Sequence, residues 1–179
     1  MILLEHEGKN LLKLAGLSVP GSLLISDPES FHWDDQRLPA VVKAQTPFGK
    51  RLQHGGIQFA KTQSELRHAI SGLLGANLNG YGVKQLLIEE KISFGQEFFL
   101  SLGYDSRERS PFLLFSAEGG TGIEELAASR PDSLWKMNLS PQQEVLPHHL
   151  IEWLSGKGLG GGALRDLSQI LRILIRQFF

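Results

Sequence analysis

The run Pro39-Ala40-Val41-Val42-Lys43-Ala44 constrains what this chain can fold into more than any other stretch. Its β-branched, apolar residues suit a strand buried within a sheet, and the lysine near its end places a charge where the strand finishes. Residues 22–25, 57–60, 84–92, 97–103, 112–116 and 134–137 read as further short strands. Helical spacing appears between them. Within residues 3–17 the apolar positions Leu4, Leu11, Leu12 and Leu14 fall near one helical face, Gly16 is a stop signal and Pro20 marks a boundary. Thr62-Gln63-Ser64-Glu65 has the capping-box pattern, which Leu66, Ala69, Ile70, Leu73 and Leu74 continue at helical spacing. Residues 147–154 read as a short helix, and Leu164, Leu167, Leu171, Leu174 and Phe178 form an amphipathic stripe. A further short helix is expected at Asp27-Pro28-Glu29, with Asp27 capping and Pro28 at its first position, while 77–82 reads as a turn-rich loop. Strands and helices in this mixed order, with hairpins, predict an α+β or mixed α/β fold with antiparallel strands, not a doubly wound parallel sheet.

At 179 residues there is room for one core or for two small α/β lobes sharing a cleft. A formal net charge of -1 supplies no global field to recruit nucleic acid or an anionic membrane. The chain has no cysteine, which excludes disulfides and thiolate metal sites and fits a cytoplasmic setting. The opening meets Glu5 and Glu7 at once and lacks the basic-then-apolar pattern of a secretory signal, and the longest apolar stretches are far short of a membrane span.

Two motifs are set aside. Gly156-Lys157-Gly158-Leu159-Gly160-Gly161 fits G-x-G-x-x-G, but it follows a helical segment instead of a strand, and the acidic ribose ligand that should follow is absent. It reads as a flexible connection between helices. His148 and His149 are sequence neighbours expected to point apart, and His6, His32, His54 and His68 show no ligand spacing, so no metal site is expected from histidine.

Three stretches, in order and at near-equal spacing, carry a family resemblance. Leu3-Leu4-Glu5-His6-Glu7-Gly8-Lys9-Asn10-Leu11-Leu12 resembles an opening helix of the form L-H-E-Y-Q-A-K-Q-L-F, and Gly16-Leu17-Ser18-Val19-Pro20 resembles the G-L-P-x-P after it. Val41-Val42-Lys43-Ala44-Gln45 is similar to V-V-K-x-Q, with Gly55-Gly56-Ile57 at the spacing of a later G-G-V. Leu87-Ile88-Glu89-Glu90 and Gln96-Glu97 precede Ser116-Ala117-Glu118-Gly119-Gly120-Thr121-Gly122-Ile123-Glu124, which resembles S-T-E-G-G-x-x-I-E. Together they resemble the ATP-grasp domain of the β subunits of ADP-forming succinyl-CoA synthetase, a family related to ATP-citrate lyase and malate-CoA ligase.

The resemblance implies an ATP-grasp fold, incomplete at its C-terminal end. Residues 1–20 would be an N-terminal helix packing with the second lobe, 21–95 the first subdomain and 96–179 part of the second. Read alone, Lys43 is a solvated strand-end lysine; in the family that lysine meets the nucleotide phosphates. The family's loop with a G-R-G-K core closes over those phosphates. Here the stretch is Gly49-Lys50-Arg51-Leu52-Gln53, in which Gly49 and Arg51 match, Lys50 replaces a glycine and Gln53 replaces the lysine. Pro47 and Phe48 stiffen it. Glu89 falls where the family's linker passes the adenine edge, Glu97 matches the carboxylate that holds the ribose hydroxyls, and Pro20 aligns with a position that leans toward ATP over GTP. For Glu89 and Glu97 the competing reading is a strand residue facing water. The loop at 116–124 would lie near the partner-facing site, or be a plain strand-to-helix turn.

In the family a strand of the form L-x-E-x-N-P-L and a further acidic residue hold Mg²⁺ between the phosphates; this sequence stops at Phe178-Phe179 before them. It also lacks the CoA-binding domain and the phosphorylated histidine of an α-type partner subunit. No catalytic or metal-binding residue is therefore expected within it, and the isolated chain is expected to lack full ligase activity. Its apolar end fits a fragment of a longer subunit, against a natural short protein that keeps the fold. The expected function is the nucleotide-binding part of an ADP-forming acid–CoA ligase, working with ATP, Mg²⁺, CoA, a small carboxylic acid and that partner. The alternatives are a non-catalytic, ATP-grasp-derived assembly module, supported by the changes at Lys50 and Gln53, and a carboxylate ligase with a non-CoA acceptor.

Overall fold

The β-branched run becomes β2 (Ala40–Ala44), and its neighbours explain why it is mostly buried. It lies inside a four-stranded antiparallel sheet of order β1 (Ser22–Ile25), β6 (Leu86–Glu90), β2, β3 (Ile57–Ala60). On one face Ala40, Val42, Ala44, Leu86 and Ile88 pack against Leu66, Ala69, Ile70 and Leu73 of α2 (Gln63–Leu73). Val41, Lys43, Leu87 and Glu89 point to the other face, because side chains alternate along a strand. The computed structural model describes residues 2–29, 31–120 and 123–179, without the side chains of 123–125. The chain divides into two units, Met1–Ser93 and Phe94–Phe179.

In the first unit the end signals act largely as expected. The Thr62 hydroxyl accepts from Glu65 N–H at 3.2 Å, and the Glu65 carboxylate reaches back to Lys61 N–H at 2.7 Å, one residue earlier than a capping box would have it. Helix α1 (Glu5–Leu14) closes with Gly16 at φ +86, Gly16 N–H donating to Lys13 and Leu17 N–H to Leu12. That is the paired bonding of a Schellman stop, which needs a residue without Cβ strain at the left-handed position. Its apolar stripe is not buried, however. Leu14 is 85% exposed and Leu11 is exposed, while the side of α1 carrying Glu5 and Lys9 faces the sheet.

Two local expectations are corrected. Residues 27–29 form a turn, with the Asp27 carboxylate accepting from Glu29 N–H at 3.0 Å, instead of a helix. The side chain satisfies the backbone two residues on, which competes with helix initiation. The loop at 77–82 is a hairpin of β4 (Asn77–Leu78) and β5 (Tyr81–Gly82). Asn79 and Gly80 both have positive φ, the requirement of the tight turn that Asn-Gly favours.

The second unit is an antiparallel meander of β7 (Phe99–Asp105), β8 (Ser110–Ser116) and β9 (Trp135–Asn138), with α3 (Ile123–Ser129) between the last two strands. Helices α4 (Pro147–Ser155) and α5 (Gly161–Phe178) supply Leu150, Leu154, Leu167, Leu171 and Ile175 to a core with Leu113 and Phe115. The glycine-rich stretch connects two helices as expected, from Gly156 at the end of α4 to Gly161 at the start of α5. The α5 stripe buries Leu167, Leu171 and Ile175, and leaves Phe178 exposed. Phe115 is fully buried, 5.8 Å from Phe98, 5.7 Å from Trp135 and 6.1 Å from Trp153 between ring centroids. The rings of His148 and His149 approach to 4.2 Å, closer than neighbours pointing apart would come. Among the described residues no helix is long and apolar enough to cross a membrane.

The turn from β7 to β8 is held electrostatically. Asp105 accepts from Arg107 N–H at 2.9 Å, Glu108 N–H at 3.1 Å and Lys136 Nζ at 2.9 Å. The Lys136 hydrogen bond, then the two backbone donors, hold the Asp105 carboxyl down to about 2. A depressed carboxyl stabilises the fold fully above its unfolded value and ceases to do so as pH falls through the folded one. In Lys136→Met, the Asp105 carbon signal should therefore titrate between about 2 and 3.8 in an NMR pH series, partway back because the backbone donors remain. Replacing Phe115 with Ala should cost about 3–5 kcal/mol in urea unfolding, as expected for deleting a fully buried aromatic side chain.

Candidate functional site

Because Val41 pairs with Glu89 and Lys43 with Leu87, Lys43 and Glu89 are diagonal neighbours on the face away from α2. Lys43 Nζ lies 2.5 Å from Glu89 Oε2 and 2.8 Å from Glu5 Oε1. One turn further along α1, Lys9 contacts Glu89 Oε1 and lies 3.6 Å from Glu5 Oε1. Arg51 donates from Nη2 to Glu5 Oε2 at 2.5 Å and from Nη1 to the Ala44 carbonyl at 2.8 Å. Opposite charges thus alternate as Arg51, Glu5, Lys43, Glu89, Lys9, leaving one net positive charge. Gln45 fastens the same end: its Oε1 accepts from His6 N–H at 3.1 Å and its Nε2 donates to the Lys43 carbonyl at 3.2 Å.

The cluster is largely sheltered from water, and Glu89 is almost wholly so, its side chain 3% exposed. Burial pushes the Glu5 carboxyl up, but the hydrogen bond and charge of Lys43, with Arg51, outweigh it and hold the group below its ordinary value. Burial and then the like charge of Lys43 pull Lys9 down to about 8, against the upward pull of Glu5.

The loop leaving β2 is folded and pinned. Residues 50–55 make successive turns, with Gly56 N–H donating to Arg51 at 2.7 Å and Ala44 N–H to Gly56 at 2.8 Å. Lys50 adopts φ +56, a conformation that costs a non-glycine residue about 1–2 kcal/mol. Phe48 stacks on Tyr81 at 5.8 Å and meets His54 edge-on at 5.7 Å. Gly49 is exposed on this loop, and the hydroxyl of Thr46 is buried without a hydrogen-bond partner.

The first unit therefore brings together Lys43, Arg51 and Glu89, with Gly49 in the same loop. Pro20 precedes Gly21, whose carbonyl accepts from Glu90 N–H at 3.3 Å, so it lies at the Glu89 end of β6. Glu97 belongs to the second unit, just before β7. Its carbonyl accepts from Gly119 N–H at 2.9 Å, and a Cβ on Gly119 would meet Glu97 Cγ at 2.5 Å, so only glycine fits. Glu97 is exposed, and its carboxylate has no partner among the described residues. In the loop at 116–124, the Ser116 hydroxyl accepts from Glu118 N–H at 3.0 Å, while Thr121 and Gly122 lie outside the described residues. Glu5 and Lys9 are the members that sequence reasoning did not single out. Their spacing of four on a helix, away from the leucines, was the available signal. Among the described residues no three His, Asp or Glu side chains converge as a metal site, and a cluster of net positive charge suits an anion instead.

The chain matches the ATP-grasp domain family over residues 2–179. It belongs to that family. The antiparallel, mixed α and β architecture expected from sequence is the ATP-grasp one. Over 180 residues the chain is 34% identical to an ADP-forming succinate–CoA ligase subunit beta of Rubrobacter xylanophilus, covering 99% of this chain and 47% of the relative. A GDP-forming succinate–CoA ligase subunit beta of Thermus thermophilus is 32% identical, again over 99% of this chain and 47% of the relative. The chain spans about half the length of these curated relatives. Among solved structures it is similar to a dinucleotide-forming acetyl-coenzyme A synthetase of Ca. Korarchaeum cryptofilum, with TM-score 0.63, 21% identity, and coverage of 96% of this chain and 77% of that one. ATP citrate lyase from Methanothrix soehngenii gives TM-score 0.63 at 17% identity, over 98% of this chain and 43% of that one. At such identities these two structures bear on the ATP-grasp fold alone.

Removing the charge of Glu89 would leave Lys9 and Lys43 facing each other with only Glu5 between them. Glu89→Gln should cost about 3 kcal/mol in urea unfolding, the scale for breaking a buried pair from one side. Glu90→Gln, which loosens an exposed pair with Arg37, should cost under about 1 kcal/mol.

Proposed function

We propose that this chain is the nucleotide-binding part of an ADP-forming acid–CoA ligase of the succinyl-CoA synthetase β kind. The observation that carries this reading is the convergence of Lys43 and Arg51 on one carboxylate, at 2.8 and 2.5 Å. Two cations already sharing one oxyanion are spaced to share the oxygens of a phosphate, and Arg51 is held there by the Ala44 carbonyl. Lys43 and Arg51 then meet the triphosphate, and exposed Gly49 lets backbone N–H groups approach it. Glu89 acts by holding Lys43 and Lys9, Pro20 flanks the base end of β6, and Glu97 is the acceptor for ribose hydroxyls. The buried, unpartnered Thr46 hydroxyl is a further donor for a phosphate oxygen.

In the full assembly the γ-phosphoryl of ATP passes to a histidine of a CoA-binding α-type partner and on to a carboxylic acid. CoA sulfur then displaces phosphate to give the acyl-CoA. Mg²⁺ would neutralise charge on the transferred phosphoryl group. The work of this chain is to bind and orient the nucleotide. A cytoplasmic setting accords with the cysteine-free composition.

Mg-ATP calorimetry on the wild type and on Lys43→Ala, with circular dichroism to establish that both are folded, tests the reading. The wild type should bind, and Lys43→Ala should bind at least about tenfold more weakly, the loss expected for a charged hydrogen bond to phosphate. Equal affinity in the two, or no binding by the folded wild type, would overturn it. The non-catalytic assembly module, favoured by the pinned loop around Lys50, would then take its place.

A further inference from the structure

Every cation that the proposed site offers to phosphate is already engaged within the chain. Glu5 faces Lys43 of β2 at 2.8 Å, Arg51 of the following loop at 2.5 Å and Lys9 of its own helix at 3.6 Å. Glu89 of β6 lies across Lys43, and His6 beside Glu5 is turned to Gln45. The two oxygens of Glu5 are divided between the two cations, Oε1 to Lys43 and Oε2 to Arg51, as two phosphate oxygens would be. Glu89 differs: it is buried in the sheet face and bridges Lys9 to Lys43, so it cannot leave without unpairing both. Helix α1 buries no residue of its own, and its hold on the sheet through Glu5 is one that another anion can replace.

We infer that Glu5 is an internal occupant of the phosphate position: its carboxylate stands between Lys43 and Arg51 until the nucleotide displaces it. The inference rests on the nucleotide reading of this site and adds to it a residue that sets affinity by competition. Displacement frees Glu5 from both cations and leaves Lys9, one helical turn away, as its remaining partner. The exchange replaces one carboxylate by one polyanion at the same two cations, so specificity falls on ligands that carry at least two oxyanion oxygens. A nucleoside triphosphate outcompetes a tethered carboxylate because it brings more charge to both cations at once.

The test compares Mg-ATP binding by calorimetry in the wild type, Glu5→Gln and Lys43→Ala. Glutamine keeps the side-chain length and one acceptor oxygen while removing the competing charge. Glu5→Gln should bind at least about tenfold more tightly than the wild type, since a charged hydrogen bond no longer has to be broken. Binding by Glu5→Gln that is equal to or weaker than a Lys43-dependent wild type would overturn the inference, making Glu5 a positioning residue, and leave the nucleotide reading standing. Binding that is indifferent to Lys43, or absent from all three proteins, would overturn both. Should Glu5→Gln fail to fold, the Glu5 side-chain carboxyl carbon of the wild type, followed by NMR through acid pH, gives the same answer. Its midpoint should lie below the ordinary carboxylate range without nucleotide and rise toward that range with saturating Mg-ATP, and an unchanged midpoint would overturn the inference.

Discussion

The diagonal ion pair of Lys43 with Glu89 is the constraint around which the first unit is arranged. Both side chains project from the two central strands of the sheet, where Val41 and Leu87 beside them on the same face are buried. A carboxylate 3% exposed cannot remain charged there without partners. Lys43 supplies one from the neighbouring strand, and α1 supplies the other with Lys9. Once two lysines flank Glu89, a second carboxylate is needed between them, and Glu5 fills that role. Arg51 then completes the chain of charges and draws the loop after β2 back onto Ala44. Helix placement, loop closure and the convergence of cations thus descend from one buried carboxylate.

The two units solve the problem of burial by different means. In the second, Phe115 collects three aromatic neighbours, and the stripe of α5 covers them with Leu167, Leu171 and Ile175. Dispersion and the hydrophobic effect suffice, and burial alternates along the continuous apolar run of β8. In the first, α2 packs in the same manner on one sheet face, but the opposite face is held by charge. Buried ion networks specify geometry more than they add stability, because desolvation offsets much of the attraction. On the face proposed to meet a nucleotide that trade is useful, since the cations are positioned in advance.

Helix periodicity was a reliable guide wherever apolar burial decides packing, and misleading where it does not. Thr62 caps α2 as its spacing from Glu65 implies, although Glu65 itself reaches back to Lys61, and Gly16 ends α1 by its left-handed backbone. Leu11 and Leu14 of α1 nevertheless stay exposed, because the charged side of the helix has the stronger partners. Asn79-Gly80 carried a hairpin signal that a reading of 77–82 by composition passed over, and the Asp27 side chain turned 27–29 away from helix. Lys43 and Arg51 were legible from the family pattern. That both would close on Glu5 was not, since residues 5, 43 and 51 meet only through the pairing of β2 with β6 and the placement of α1.

By itself the sequence determined the strand at 40–44, the capped helix at 63–73, the amphipathic α5 and membership of the ATP-grasp family. Each follows from local geometry, periodicity or a pattern of residues close in the chain. Tertiary structure alone decided which charges neutralise one another, that Glu89 is buried between two lysines, and that Lys43 and Arg51 share one carboxylate. The physical reason is that pairing of charges depends on distance and solvent exposure, and both are set by strand register and helix placement across 38 to 80 residues of chain.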